Sequence, residues 1–343
     1  LVILGFAIAP YMITTFTLGE LITHRSRTAT AMTLLAGATG LGYATGAALA
    51  GRLVDEGGVA PAFKVTLAAT TLAMLSPFVT VLGWRVLLAD LGSRLHIAQA
   101  SGVFFVGQLG KYLPGSVWSV VVQTEMAAKL GVPRRRSAVV GLLCIALSAL
   151  TGMIAGLPAL PVLLTRGDAV IPWWALLLIV AVLGILLWPP LLNHGIRTLL
   201  RLLRREPLEH DLSHAAVGLS SLWFTLSWLV GGLAVWVMAR NVAPDDADAS
   251  RLLLVAVSGY LLAAGIGMFS IVVPAGVGVR DGVMVLLLTT QMSVSAATAV
   301  VVVARFLTVL ADVVWAALGW LWAKSHDLLP DGGTPTTDRD PSP

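Results

Sequence analysis

Long apolar stretches separated by short polar breaks dominate this chain. Those over 31–50, 65–84, 139–164, 171–192, 217–238 and 296–322 each suffice to cross a bilayer. The hydrocarbon core is roughly 30 Å thick and takes about 20 mostly apolar residues as a helix. In lipid every backbone N–H and C=O must be bonded internally, so a spanning segment is a helix or a strand of a closed barrel. Barrel strands alternate in hydrophobicity, and these stretches do not. The pattern predicts an all-α protein, a polytopic integral membrane helical bundle.

Two stretches depart from simple spans. Over 97–128, apolar pieces at 97–109 and 116–128 flank Lys111-Tyr112-Leu113-Pro114-Gly115. Each piece is too short to cross alone, and Pro and Gly break the helix between them. This predicts a re-entrant helical hairpin. Over 251–292, an apolar stretch at 252–271 leads into Val273-Pro274-Ala275-Gly276-Val277-Gly278-Val279-Arg280-Asp281-Gly282 and a shorter apolar piece at 283–288. Two readings stay open there, a second hairpin or two ordinary short spans. Paired breaks entering from opposite faces point to an inverted repeat with a site at the breaks.

Charge sets the orientation. Lys129 with Arg134, Arg135 and Arg136 forms one basic cluster, and Arg197, Arg201, Arg204 and Arg205 form another. Both are expected on the cytoplasmic side. The stretches at 139–164 and 171–192 lie between them as an out-and-back pair, and the acidic loop Pro244-Asp245-Asp246-Ala247-Asp248 is expected outside. Segment 196–206 places its arginines near one face and leucines on the other, the pattern of an interfacial amphipathic helix. The tail, 325–343, is rich in Pro, Gly and Asp and is expected to be disordered and cytoplasmic.

Composition agrees with this picture. Hydrophobic residues make up 57% of the chain and charged residues 12%, against about 25% charged in soluble domains. The net charge of +4 is accounted for by basic flanks of membrane helices, so nucleic acid is not an expected partner. The single cysteine, Cys144, lies within an apolar stretch and can make no internal disulfide.

No protease, hydrolase, nucleotide-binding or redox motif is present, and the expectation is a non-enzyme with no cofactor. The six histidines are scattered over loops and helix ends, which argues against a metal site. The informative polar residues sit at the breaks. Lys111 brings an ammonium into the bundle, where charge is expensive and usually functional. Tyr112 adjoins it. Gly115 and Ser116 open the following helix, whose free N–H groups favour an anion. Arg280 offers a forked guanidinium suited to phosphate, with Asp281 adjacent. The competing reading is that Lys111 and Arg280 snorkel to an interface. Secondary candidates are Gln108, Trp118, Glu125, Arg305 and Asp312. The last two are two helical turns apart on one face; they line the same cavity, or Arg305 pairs with Asp281.

From about residue 77 to 322 the chain resembles the transmembrane region of the lysylphosphatidylglycerol synthase family, also called flippase-like proteins. The carrying motifs are Gly107-Gln108-Leu109-Gly110-Lys111-Tyr112-Leu113-Pro114-Gly115-Ser116-Val117-Trp118 and Pro274-Ala275-Gly276-Val277-Gly278-Val279-Arg280-Asp281-Gly282. The resemblance implies a multi-pass cell-membrane module that translocates an anionic lipid, aminoacylated or phosphate-bearing, between leaflets. Full-length synthases carry a soluble aminoacyltransferase domain after this region. Here only residues 323–343 follow, so the resemblance does not carry the synthetic activity. Membrane lipids are the expected partners, with a separate lipid-modifying enzyme as a further candidate.

Residues 1–75 are similar instead to the last helices of a major facilitator superfamily exporter. The similarity rests on Gly5-Phe6-Ala7-Ile8-Ala9-Pro10, Thr39-Gly40-Leu41-Gly42 with Gly46, and Gly51-Arg52-Leu53-Val54-Asp55-Glu56-Gly57-Gly58 through Pro61-Ala62-Phe63. The expected organisation is an exporter-like three-helix piece at 1–75, a lipid-handling module at 76–324 and the tail at 325–343, joined by fusion, truncation or an assembly join near 70–77. The alternative function is a fragment or fusion of a proton-coupled small-molecule exporter. That function needs a carboxylate within a span, and the acids in apolar surroundings are Glu20, Glu125, Asp281 and Asp312.

Overall fold

A computed structural model describes residues 59–112, 117–164, 172–268, 276 and 278–326. The chain divides into two compact units, Leu1–Ala62 and Phe63–Pro343. The apolar stretch at 31–50, the exporter-like motifs up to Gly58 and the tail from 327 onward lie outside the described residues, as do Gly115 and Ser116.

Among the described residues the regular elements are all helical. They are α1 (Val59–Asp90), α2 (Ile97–Gln108), a 3₁₀ turn (Leu109–Tyr112), α3 (Trp118–Lys129), α4 (Arg134–Gly156) and a 3₁₀ turn (Leu157–Ala159). There follow α5 (Leu160–Leu164), α6 (Trp173–Leu186), α7 (Pro189–Leu202), α8 (His214–Arg240), α9 (Ala249–Met268), α10 (Val279–Leu288) and α11 (Val294–Ser325). Five helical segments are long and apolar enough to cross a membrane: Phe63–Asp90, Arg134–Val162, His214–Arg240, Ala249–Met268 and Val294–Ser325. The protein is a multi-pass integral membrane helical bundle.

Helix starts follow the sequence. Ser213 and Ser293 cap α8 and α11, accepting the N–H of Ala216 at 3.1 Å and of Ala296 at 3.3 Å. His96 and Gln99 form a reciprocal capping box on α2, which satisfies amides that the first turn leaves without helical partners.

The stretch expected as one span at 171–192 is broken. α6 ends at Leu186, and α7 leaves it at 53°. Pro189 and Pro190 lack the N–H that would continue the ladder, but are accommodated in the first turn of a new helix. The basic amphipathic segment is therefore α7, and it ends earlier than expected. Arg204 adopts φ 53°, a left-handed conformation that stops the helix, so Arg204 and Arg205 follow it rather than belong to it. His194 also lies within α7 rather than in a loop.

The basic end of the bundle is tied together by side chains. Asp90 accepts the N–H and the hydroxyl of Ser213, both at 2.8 Å. Arg135 pairs with Glu206 and Glu209, Arg136 with Glu209 and Ser93, and Arg197 with Asp211.

The long helices run antiparallel in pairs. Ser76 meets Ser227, and Gly83 meets Ser220 and Phe224, which sets α1 against α8. The Ser76–Ser227 contact is reciprocal: each hydroxyl donates to the other residue's carbonyl, at 2.9 and 2.8 Å. α2 and α3, 12 residues each, pack antiparallel, and so do α9 and α10, where Gly259 faces Leu287 and Gly267 faces Arg280. Gly102 lies on Trp322 near the end of α11, whereas Val301, near its start, lies by Met284 of α10. The two helix pairs therefore approach from opposite ends of α11. The order is a long helix, a helix pair and a long helix, first as α1 to α4 and again, in the reverse direction, as α8 to α11.

Over 251–292 the two helices are unequal in length. α9 is long enough to cross, whereas the 10 residues of α10 rise only about 15 Å. One long arm and one short arm result.

Candidate functional site

The first break is closed by glycines. A Cβ on Gly107 would lie 2.3 Å from Gln123 Cγ, and one on Gly110 would lie 2.4 Å from the Ser119 backbone N. With hydrogen there instead, the 3₁₀ turn packs backbone to backbone against the start of α3. That close packing accounts for the glycine spacing in the first motif. The second break uses the same device: Gly276 has φ 65°, and a Cβ there would lie 3.0 Å from the Gly267 carbonyl oxygen. A Cβ on Gly267 would in turn lie 3.0 Å from Arg280 Cβ. These absent side chains leave the slot in which Arg280 sits.

Described residues at the edges of both breaks line one cavity of about 190 Å³. Gln108, Lys111 and Tyr112 line it from the first break, and Gly276 and Arg280 from the second. Ser76 and Pro77 of α1, Cys144 and Ser148 of α4, Ser227 and Trp228 of α8, and Arg305, Thr308 and Asp312 of α11 complete much of the wall. These residues lie near the middle of their helices, so the cavity sits midway along the bundle.

Its electrostatics centre on Asp312, which is 3% exposed. One carboxylate oxygen receives Lys111 Nζ at 2.7 Å and the Tyr112 hydroxyl at 2.5 Å. The Lys111 side chain is 30% exposed. The Arg280 guanidinium lies over the Tyr260 ring, 4.5 Å from its centroid, a cation–π contact. Tyr260 in turn packs edge-on against Trp228, whose indole N–H donates to the Ser148 carbonyl at 2.9 Å.

Not all the candidates gather here. Asp281 accepts the Gly278 N–H at 3.2 Å and so caps α10; it lines a small adjoining cavity with Arg280 and Arg305. Trp118 is 50% exposed and is absent from the cavity wall. Glu125 is at the basic end, exposed and paired with Arg134 at 2.9 Å, so its surroundings are not apolar as the sequence pattern implied. The Arg134 guanidinium beside it holds its carboxyl below the usual carboxylate range.

Sequence reasoning did not single out Ser76, Ser148, Ser227, Trp228 or Tyr260. Pro77 inside a long apolar helix was a usable signal for the first of these. The aromatic pair carried none, because Trp and Tyr in such helices ordinarily read as interface belts. Among the described residues, no group of three or more His, Cys, Asp and Glu side chains is placed to hold a metal ion.

The chain matches the family model for the lysylphosphatidylglycerol synthase TM region over residues 3–316. No curated protein matches it. The match reaches forward to residue 3, across the stretch that resembles an exporter, and does not show an exporter there. On the extent of that match, the chain belongs to the lysylphosphatidylglycerol synthase TM region family, a membrane family related to lipid handling.

Proposed function

We propose that this member of the family binds the headgroup of an anionic lipid, phosphate-bearing or aminoacylated, in the central cavity and moves it between the leaflets of the cell membrane. The observation that carries the reading is the concentration of Lys111, Arg280 and Arg305 around a cavity midway along an apolar bundle. Charges at that depth are costly and recur where a polar substrate passes. In this reading the two helix pairs enter the bilayer from opposite faces and their breaks meet at the site, as in transporters built on inverted repeats. The headgroup leaves water for the cavity while its acyl chains stay in lipid. Lys111, 30% exposed beside its ion pair, exchanges part of its contact with Asp312 for a phosphate oxygen. Arg280 supplies a forked donor from the opposite hairpin. An aminoacylated lipid would be supplied by a separate lipid-modifying enzyme.

The test is leaflet exchange of fluorescent phosphatidylglycerol in vesicles containing the purified protein. Lys111→Ala and Arg280→Ala are each expected to lower the rate at least about tenfold, the effect of losing one charge-assisted contact. Unchanged rates in both variants overturn the site assignment.

A further inference from the structure

We infer that α7 and the turn after it form a second lipid site, outside the cavity, that binds the phosphates of anionic lipids in the leaflet at the basic end. None of its residues lines the central cavity, so the inference does not depend on what the cavity carries. A period of 3.6 residues per turn divides α7 into three faces. Pro189, Leu192, Ile196 and Leu200 turn inward, and Leu200 is 5% exposed within the core of the bundle. Leu191, Leu199 and Leu202 turn outward, the last 79% exposed. Arg197 and Arg201, one turn apart, occupy the third side. Asn193 and Leu212 exchange bonds at 3.0 and 2.9 Å, which fixes α7 to the bundle with those leucines outward.

The end of α7 carries the argument furthest. The Arg205 N–H donates to the Leu200 carbonyl at 2.8 Å and the Arg204 N–H to the Arg201 carbonyl at 3.0 Å, the paired bonds of a Schellman turn. Such a turn favours Gly at its left-handed position and an apolar contact from the residue after it. Here both residues are arginine, and Arg204 holds φ 53°, a conformation that costs stability for a residue with a Cβ. A basic flank that only sets topology needs positive charge near the membrane, but not at these two positions. Arg201 alone has a local reason, since a cation suits the last turn of a helix. Arg201, Arg204 and Arg205 are exposed, and among the described residues no acid pairs with them. Arg135, Arg136 and Arg197, by contrast, are all paired. Leu203, between them, is 59% exposed. Leucines at the acyl boundary with arginines at the level of the phosphates mark a helix lying in an anionic interface. The neighbouring α6 exposes Trp174, Leu177 and Ile185, so the outer face of α7 continues an apolar surface. An acidic protein segment would answer the arginines and leave the leucines in water.

The full chain in nanodiscs of phosphatidylcholine and phosphatidylglycerol in equal parts tests this. Leu202→Cys carries an environment-sensitive fluorophore, Cys144 being buried, and bromines on the chains of one lipid at a time quench it. Relative quenching is expected to show phosphatidylglycerol preferred at α7 by at least about tenfold, given roughly fivefold for each arginine at an anionic surface. Equal quenching by the two lipids overturns the inference. Quenching by neither also overturns it, and leaves the patch to a protein partner. The triple substitution Arg201→Gln, Arg204→Gln, Arg205→Gln is expected to bring the preference below about threefold, while total quenching persists. Arg204→Gly separates charge from structure. Glycine suits φ 53°, so the unfolding temperature is expected to rise while the preference falls about fivefold. A preference unchanged in either variant overturns the inference. Lys111→Ala is expected to leave the preference intact, and a loss there would place it in the cavity and overturn the assignment to α7.

Discussion

The two hairpin breaks bring a cation to the same cavity by different means. At the first, Lys111 reaches across to a carboxylate on another element, Asp312 of α11, at 2.7 Å. At the second, Arg280 lies on Tyr260 of α9, the long arm of its own hairpin, 4.5 Å from the ring centroid. A charge held by a neighbouring helix ties the hairpin to that helix. A charge held by the same hairpin travels with it. Motion of the first hairpin relative to α11 must therefore break an ion pair, whereas motion of the second carries Arg280 along intact. The contrast ties the first break to α11 and leaves the cation of the second held within its own helix pair.

Removing the carboxylate breaks this contrast most severely. Asp312→Ala removes the carboxylate that accepts from both Lys111 and the Tyr112 hydroxyl. Deleting one partner of a buried pair costs about 3–5 kcal/mol, and the partial exposure of Lys111 places the effect at about 3. The expected outcome is a clear fall in unfolding temperature in detergent, reversed in large part by the double substitution Lys111→Met, Asp312→Leu. A double variant no more stable than the single one would show that the pair does not tie the hairpin to α11.

Closure of the first break comes next. In Gly110→Ala the new Cβ would lie 2.4 Å from a backbone nitrogen of Ser119, and a backbone contact cannot rotate away. Overpacking of this kind costs about 1–3 kcal/mol. Cysteines placed at the two ends of the break report the change. Their cross-linking distance is expected to widen, with transfer of phosphatidylglycerol falling in parallel. Normal transfer with a widened break would separate hairpin closure from function.

At the second break, Tyr260→Leu removes the π face and keeps the volume roughly apolar. Losing a desolvated cation–π contact costs about 1–2 kcal/mol, less than the loss of the carboxylate. Arg280 remains, so the preference for an anionic headgroup is expected to persist with weaker affinity. Loss of that preference would mean that the ring, and not the guanidinium, sets it.

Much of this was legible in the sequence, for identifiable reasons. The apolar helices were legible because lipid leaves the backbone no alternative to internal pairing. The breaks were legible because Pro114, Gly115, Pro274 and Gly276 interrupt apolar runs. The bend at Leu187–Trp188 was harder to read, since hydropathy continues across it while Pro189 and Pro190 stop the ladder. The pairing of Lys111 with Asp312 was not readable at all. The two are about 200 positions apart, as the Tyr112 bond to the same carboxylate illustrates, and no local period links them. Asp281 was legible as a neighbour of Arg280, with which it lines the adjoining cavity, whereas its capping of α10 follows from its position in the first turn of that helix.

The smallest expected effect separates an ion pair at the basic end from the one in the cavity. Glu125 and Arg134 meet at 2.9 Å, as close as many buried pairs, but water surrounds them. Solvent-exposed pairs contribute little, because both partners are already well solvated when apart. Arg134 holds the Glu125 carboxyl below its usual range. The contribution of the pair is then present at neutral pH and is lost only as pH falls through that lowered value, below the ordinary carboxylate pKa of about 4.3. Between pH 6 and 8, roughly, neither partner changes charge. Glu125→Gln is therefore expected to leave the unfolding temperature and leaflet exchange at their unsubstituted values throughout that interval. A loss of exchange matching that of Lys111→Ala would show that Glu125 acts together with the cavity residues and not as an isolated exposed pair.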